Sequence, residues 1–186
     1  MTALIAISNA IRNLLEKTAF VSGWLLVLLA AITCFDVFCR KFSIPIPLTR
    51  FQEFEWHVHA ALFSLWMGYN YTINAHPRVD SYTERLGYRT KAWIEFWGCL
   101  IFALPFMAVI VWHGWDFFWT SYRQGETSEH AIGLPYRWAI KGVFYVGLWL
   151  VLIGVISVWM RLIVFLFGGR SQEETQLQIG HSELEA

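Results

Sequence analysis

Charge is scarce in this chain. Only 15% of its 186 residues are Asp, Glu, Lys or Arg, against about 25% in an ordinary soluble domain. The 14 basic and 14 acidic residues cancel, so there is no net field to attract nucleic acid or another polyanion. Cysteine is also rare. Cys34, Cys39 and Cys99 form no C-x-x-C pair, which excludes an oxidoreductase built on that motif and leaves them as small apolar packing residues. No phosphate-binding loop, dinucleotide fingerprint, catalytic triad or H-E-x-x-H pattern occurs. The chain therefore carries none of these catalytic or cofactor-binding motifs, and it does not read as an enzyme.

Long apolar runs are what the sequence does have. Hydrophobic residues make up 56% and include 11 Trp, and the mean hydropathy is +0.45. A bilayer core needs about 20 apolar residues per helix. Four runs meet that length: residues 18–38, 51–73, 92–112 and 138–167. The expected fold is an all-α membrane protein with four transmembrane helices in a domain over 18–167. Pro105 stands near the middle of the third run and should kink it, because it removes a backbone donor. Arg161, near the end of the fourth, is expected to snorkel to the headgroups.

The flanks differ. Over residues 1–17, Leu4, Ile7, Ile11, Leu14 and Leu15 share a stripe opposite Asn9, Arg12, Asn13 and Glu16. This predicts an amphipathic interfacial helix or a helical extension of the first span. Arg12 and Lys17 precede the first apolar run as in a signal peptide, but the run is too long and lacks a small-x-small site, so it reads as an uncleaved span. Residues 168–186 are polar and acidic and read as a disordered cytoplasmic tail.

Trp56, Trp112, Trp115, Trp119 and Trp138 fall near one set of span ends, and Trp24, Trp93, Trp97 and Trp159 near the other, as interfacial anchors do. Trp66 and Trp149 are mid-span and should pack between helices. Gly142, Gly147 and Gly154 permit close helix contact. The termini and the 74–91 connector carry eight Lys or Arg, and the opposite side six, which favours cytoplasmic termini.

The start of the second run, TRFQEFEWHVHAALF at 49–63, concentrates ionisable residues. At 100° per residue, Glu53 and His57 lie about 40° apart, as do Glu55 and His59, and the two pairs point about 200° apart. They do not converge on one metal, and the Glu-x-x-His di-metal signature is absent. Three readings stay open: a polar collar at the interface, a helix or subunit contact, and a cofactor or proton site. His57 or His59 paired with His113 would suit haem, making the chain a b-type cytochrome anchor. Intramembrane His59 would also suit a stand-alone small transporter. Asp36 and Arg40 are spaced i, i+4 and can pair locally, at a helix end or a subunit contact. The 120–137 stretch, with Gly125, Gly133 and Pro135, reads as a solvated loop.

In their order along the chain, several of these residues resemble the DctQ-like small membrane subunit of tripartite ATP-independent periplasmic (TRAP) transporters. Arg40 follows the first span, Glu53 or Glu55 opens the second, and the connector holds His76, Pro77, Arg78, Val79 and Asp80. The loop TSEHAIGLPYRWAIK then leads to the fourth span. The resemblance covers about residues 10–168. His57 and His59 depart from it, standing where apolar residues are expected.

The resemblance implies a non-catalytic scaffold in the bacterial inner membrane. Its partners would be a large permease subunit, a periplasmic solute-binding protein and the lipid bilayer, with no nucleic acid. The assembly would take up a small, carboxylate-bearing solute coupled to ions. Asp36, Arg40, Glu53, Glu55, His59, His76, Arg78 and Asp80 are the residues expected to serve subunit contacts or structure.

Overall fold

The computed structural model describes residues 1–45, 47–75, 83 and 85–179. Among these the chain is helical, with no strand. Its elements are α1 (Thr2–Lys41), α2 (Leu48–Thr72), α3 (Tyr88–Gly98), a π-helical turn (Cys99–Ala103), α4 (Leu104–Gln124), α5 (Arg137–Phe167) and the short α6 (Gln172–Thr175).

Among the described residues, three stretches are long and apolar enough to cross a membrane: Thr2–Lys41, Tyr88–Gln124 and Arg137–Phe167. The four runs expected from the sequence thus become three by that measure. The exception is α2, whose 25 residues are sufficient in length. Glu53, Glu55, His57, His59 and Asn70 lower its hydropathy.

α1 is one helix of 40 residues, about 60 Å long; the N-terminal segment is an extension of the first apolar run. The expected apolar stripe packs in part. Leu15 is buried, as is Ser8, and Leu4 and Ile11 are half-buried, whereas Ile7 and Leu14 are exposed.

Pro105 acts one turn earlier than a simple kink would. It has no N–H to donate to the carbonyl four residues back. The helix instead widens over Cys99–Ala103, and the Leu104 N–H bonds the Cys99 carbonyl five residues back, the π pattern.

The chain divides into two compact units. The first comprises Met1–Glu16, Met67–Val109 and Leu150–Ala186; the second comprises Lys17–Trp66 and Ile110–Trp149. In the first, the core joins Ala92, Phe96, Cys99 and Met107 to Val151, Val155, Val158, Leu162 and Leu166 of α5. Apolar residues ring α5 on all sides, as in a helix with neighbours all round. More than half (56%) of its most apolar stretch is buried, against 11% for α1.

Small residues set how closely α2 and α5 approach. In the first unit, a Cβ on Gly68 would lie 2.4 Å from the Leu150 carbonyl oxygen, and one on Gly154 2.7 Å from that of Gly68. In the second, a Cβ on Gly147 would meet the Ser64 Cβ at 2.6 Å. These are backbone-distance contacts that no larger residue permits.

Also in the second unit, the Trp66 indole N–H donates to the Ala19 carbonyl at 2.6 Å, seating this tryptophan between helices as expected. Trp149 departs from expectation and is 45% exposed. Trp24, Trp56 and Trp112 are exposed too, in keeping with interfacial anchoring.

The expectation of an unstructured tail fails for its first part. Ser171 caps α6, accepting from the Glu174 N–H, while the Glu174 carboxylate accepts from the Ser171 N–H, a capping box. Thr175, Leu177 and Ile179 are buried in the first unit, and the Tyr88 hydroxyl donates to the Leu177 carbonyl at 2.7 Å. Two buried apolar residues, a capped turn and hydrogen bonds from outside the segment dock a stretch whose composition is otherwise polar.

Candidate functional site

The opposed pairs read from the helical wheel separate in space. Glu53 and His57 help line one cavity of about 470 Å³, together with Gln52, Ser128 and His130. Glu55 and His59 help line another of about 530 Å³, together with Leu29, Thr33 and Phe63. Trp56 stands between the pairs in sequence and touches both cavities. Both lie within the second unit.

On the first side, α2 grips the loop at 125–136. The Ser128 hydroxyl donates to the Glu53 carboxylate, and the Leu134 N–H donates to its other oxygen at 2.6 Å. Three residues earlier, Arg50 Nε donates to the Ile132 carbonyl at 2.9 Å. Gly133 is required here, since a Cβ would fall 2.2 Å from Ser128 Oγ and 2.8 Å from Glu53 Oε1. The loop closes on itself through Ser128 N–H to the Leu134 carbonyl at 3.1 Å and Gly133 N–H to the His130 carbonyl at 2.9 Å. Its base is an ion pair of Glu126 with Lys141, with Arg137 at 3.8 Å. The Lys141 ammonium holds the Glu126 carboxyl below the usual carboxylate range. A loop read from sequence as merely solvated is therefore pinned. The acceptor that pins it lies about 75 residues upstream, beyond any local signal.

The second side is built differently. Asp36 is buried, and Arg40 grips it with Nε at 2.6 Å and Nη2 at 3.3 Å, the i, i+4 pair expected from the spacing. Glu55 is within electrostatic reach of Arg40. Yet Glu55 Oε1 is buried and has no hydrogen-bond partner among the described residues. His59 is exposed.

A third polar group, in the first unit, overturns an expectation. Arg161 does not snorkel; it is 4% exposed. Its Nε donates to Ser8 Oγ at 2.7 Å, Nη2 to Asn9 Oδ1 at 2.8 Å, and Nη1 to the Thr175 and Gln176 carbonyls at 2.9 and 3.1 Å. The two carbonyls end α6, where the helix dipole favours a cation. The Ser8 and Ser157 hydroxyls, 2.8 Å apart, close the cluster. All three guanidinium nitrogens are used, with no carboxylate partner among the described residues. His76, Arg78 and Asp80 lie outside the described residues.

No group of three or more His, Cys, Asp or Glu that could hold a metal occurs among the described residues. What the geometry provides is helix-to-loop and helix-to-helix fastening beside large apolar surfaces. Phe20, Val21, Trp112 and Phe102 are each at least two-thirds exposed, a pattern that suits lipid or a protein partner and not water. Fold and site together define a multi-pass helical membrane protein.

The family model for tripartite ATP-independent periplasmic transporters, DctQ component, matches residues 29–171. The chain belongs to this family, the small permease component of TRAP transporters. No curated protein and no solved structure matches it.

Proposed function

We propose that this chain is the non-catalytic small membrane subunit of a TRAP-type secondary transporter. It scaffolds the large permease subunit and helps to dock the periplasmic solute-binding protein. The assembly takes up a small, carboxylate-bearing solute coupled to an ion. The observation that carries this reading is the family match over residues 29–171. Support comes from α1, whose most apolar stretch is only 11% buried, leaving a membrane-length face open to a partner.

In this reading α2 is a fourth span, with its polar N-terminal turns at the membrane surface. Both termini are cytoplasmic, following the eight-to-six distribution of basic residues. The loop at 125–136 then faces the periplasm, where the Glu53 clasp presents it in one conformation to the binding protein.

The test is co-expression of the tagged chain with a large TRAP permease subunit from the same organism. The two should co-purify in detergent, and deletion of this chain should abolish uptake by the reconstituted system. Full uptake without it would overturn the scaffold role.

A further inference from the structure

The groove on the Glu55 side contains a polar group that the described residues leave unanswered. We infer that it receives a transmembrane helix of the large permease subunit, which places one hydrogen-bond donor side chain against Glu55. This rests on the function proposed above and names the surface through which that partnership is made.

Glu55 Oε1 is buried and lacks a donor among the described residues. A carboxyl oxygen shielded from water without a hydrogen bond is costly, more so beside hydrocarbon. The nearby cation does not answer it: Arg40 directs Nε and Nη2 to Asp36 and makes no hydrogen bond to that oxygen. His59, one turn along on the same face, is exposed and makes no bond to that oxygen.

The walls then select the occupant. Leu29 and Thr33 of α1 face Ala60 and Phe63 of α2 around about 530 Å³, room for several side chains. Small Thr33 and Ala60 admit another helix closely. Along α1, Val21 and Trp24 are 69% and 66% exposed, so the apolar face continues past the groove. Acyl chains would cover these walls but bring no donor. A partner helix brings both apolar cover and a donor, and charge complementarity at Glu55 fixes where that donor sits.

The experiment uses the full chain with the large subunit in native-lipid particles. A photo-crosslinking residue replaces Leu29 or Phe63 in the groove, or Phe106 outside it; Phe106 is also exposed, at 64%. Glu55→Leu and Glu55→Gln are made in parallel. Groove positions should crosslink to the large subunit, and Phe106 should do so far less. Glu55→Leu should lower recovery of the complex roughly tenfold or more, since it strands the partner's donor. Glu55→Gln, whose amide oxygen still accepts, should stay within about threefold. Because crosslinking is done with Glu55 intact, a folding defect in the leucine variant does not decide the outcome.

If the wild-type complex forms but the groove crosslinks only lipid, and Glu55→Leu recovers normally, the inference is wrong and the function stands. A lipid ammonium would then be the donor. If no wild-type complex forms, the proposed function fails and takes the inference with it.

Discussion

Arg161 and Glu55 are both ionisable groups set among apolar helices, and the protein treats them in opposite ways. Arg161 is enclosed by Ser8, Asn9 and two carbonyls from the end of α6, with every guanidinium nitrogen engaged. Glu55 keeps a buried oxygen with no partner among the described residues. An ionisable group satisfied inside its own chain reads as architecture, because removing it strands its neighbours. One left unsatisfied reads as unfinished, and something outside the chain completes it. Burial alone does not distinguish the two; the count of donors and acceptors does.

The contrast can be broken most decisively at Arg161. Arg161→Ala strands one buried and one part-buried carbonyl and two side chains, and should lower stability by about 3 kcal/mol, or roughly 10 °C in Tm. Thermal unfolding of the purified chain in detergent measures this. Arg161→Lys should fall between, since an ammonium cannot span the same acceptors. A change below about 1 kcal/mol in Arg161→Ala would remove the energetic content of the comparison.

An intermediate case is the loop pair of Glu126 and Lys141, which is partly solvated. The Lys141 hydrogen bond, first among the causes, lowers the folded-state pKa of Glu126. Its contribution is therefore complete above the unfolded value near 4.5 and is lost as pH falls through the lower folded value. Screening keeps the effect below about 1 kcal/mol. Between pH 7 and about pH 3, wild type should lose slightly more Tm than Lys141→Met, and equal losses would show that the pair contributes nothing.

The smallest effect belongs to Glu55 in the isolated chain. Glu55→Leu should leave Tm unchanged to within about 0.5 kcal/mol, or raise it, because no internal bond is lost. A drop comparable to that of Arg161→Ala would place Glu55 with Arg161 and end the distinction.

The sequence made the helical class and the apolar stretches legible because 3.6-residue geometry and membrane thickness act locally. The same geometry placed Glu53 and Glu55 on opposed faces of α2, and the two cavities follow that division. Gly147 and Gly154 were legible as close-contact residues for a similar reason. Arg161 was misread because its partners Ser8 and Asn9 lie 153 and 152 residues away, and nothing near Arg161 announces them. The docked start of the tail was hidden likewise, since Leu177 and Ile179 look incidental in a polar stretch. The clasp of Glu53 on Ser128 and Leu134 shares this cause: its geometry is tertiary, while the cues on each side are those of an ordinary helix and an ordinary turn.

The Arg161 cluster also has a consequence for biosynthesis. Synthesis runs from the N-terminus, so Ser8 and Asn9 exist long before Arg161, and the Thr175 and Gln176 carbonyls come after all three. The first unit therefore cannot complete its buried cation until residues 175 and 176 have been made, and its contacts have the long sequence separation that slows folding. Until then Arg161 must wait in water, among headgroups or in the insertion machinery. A nascent chain truncated before residue 175 would leave Arg161 Nη1 without its two carbonyls, a buried cation met on one side only.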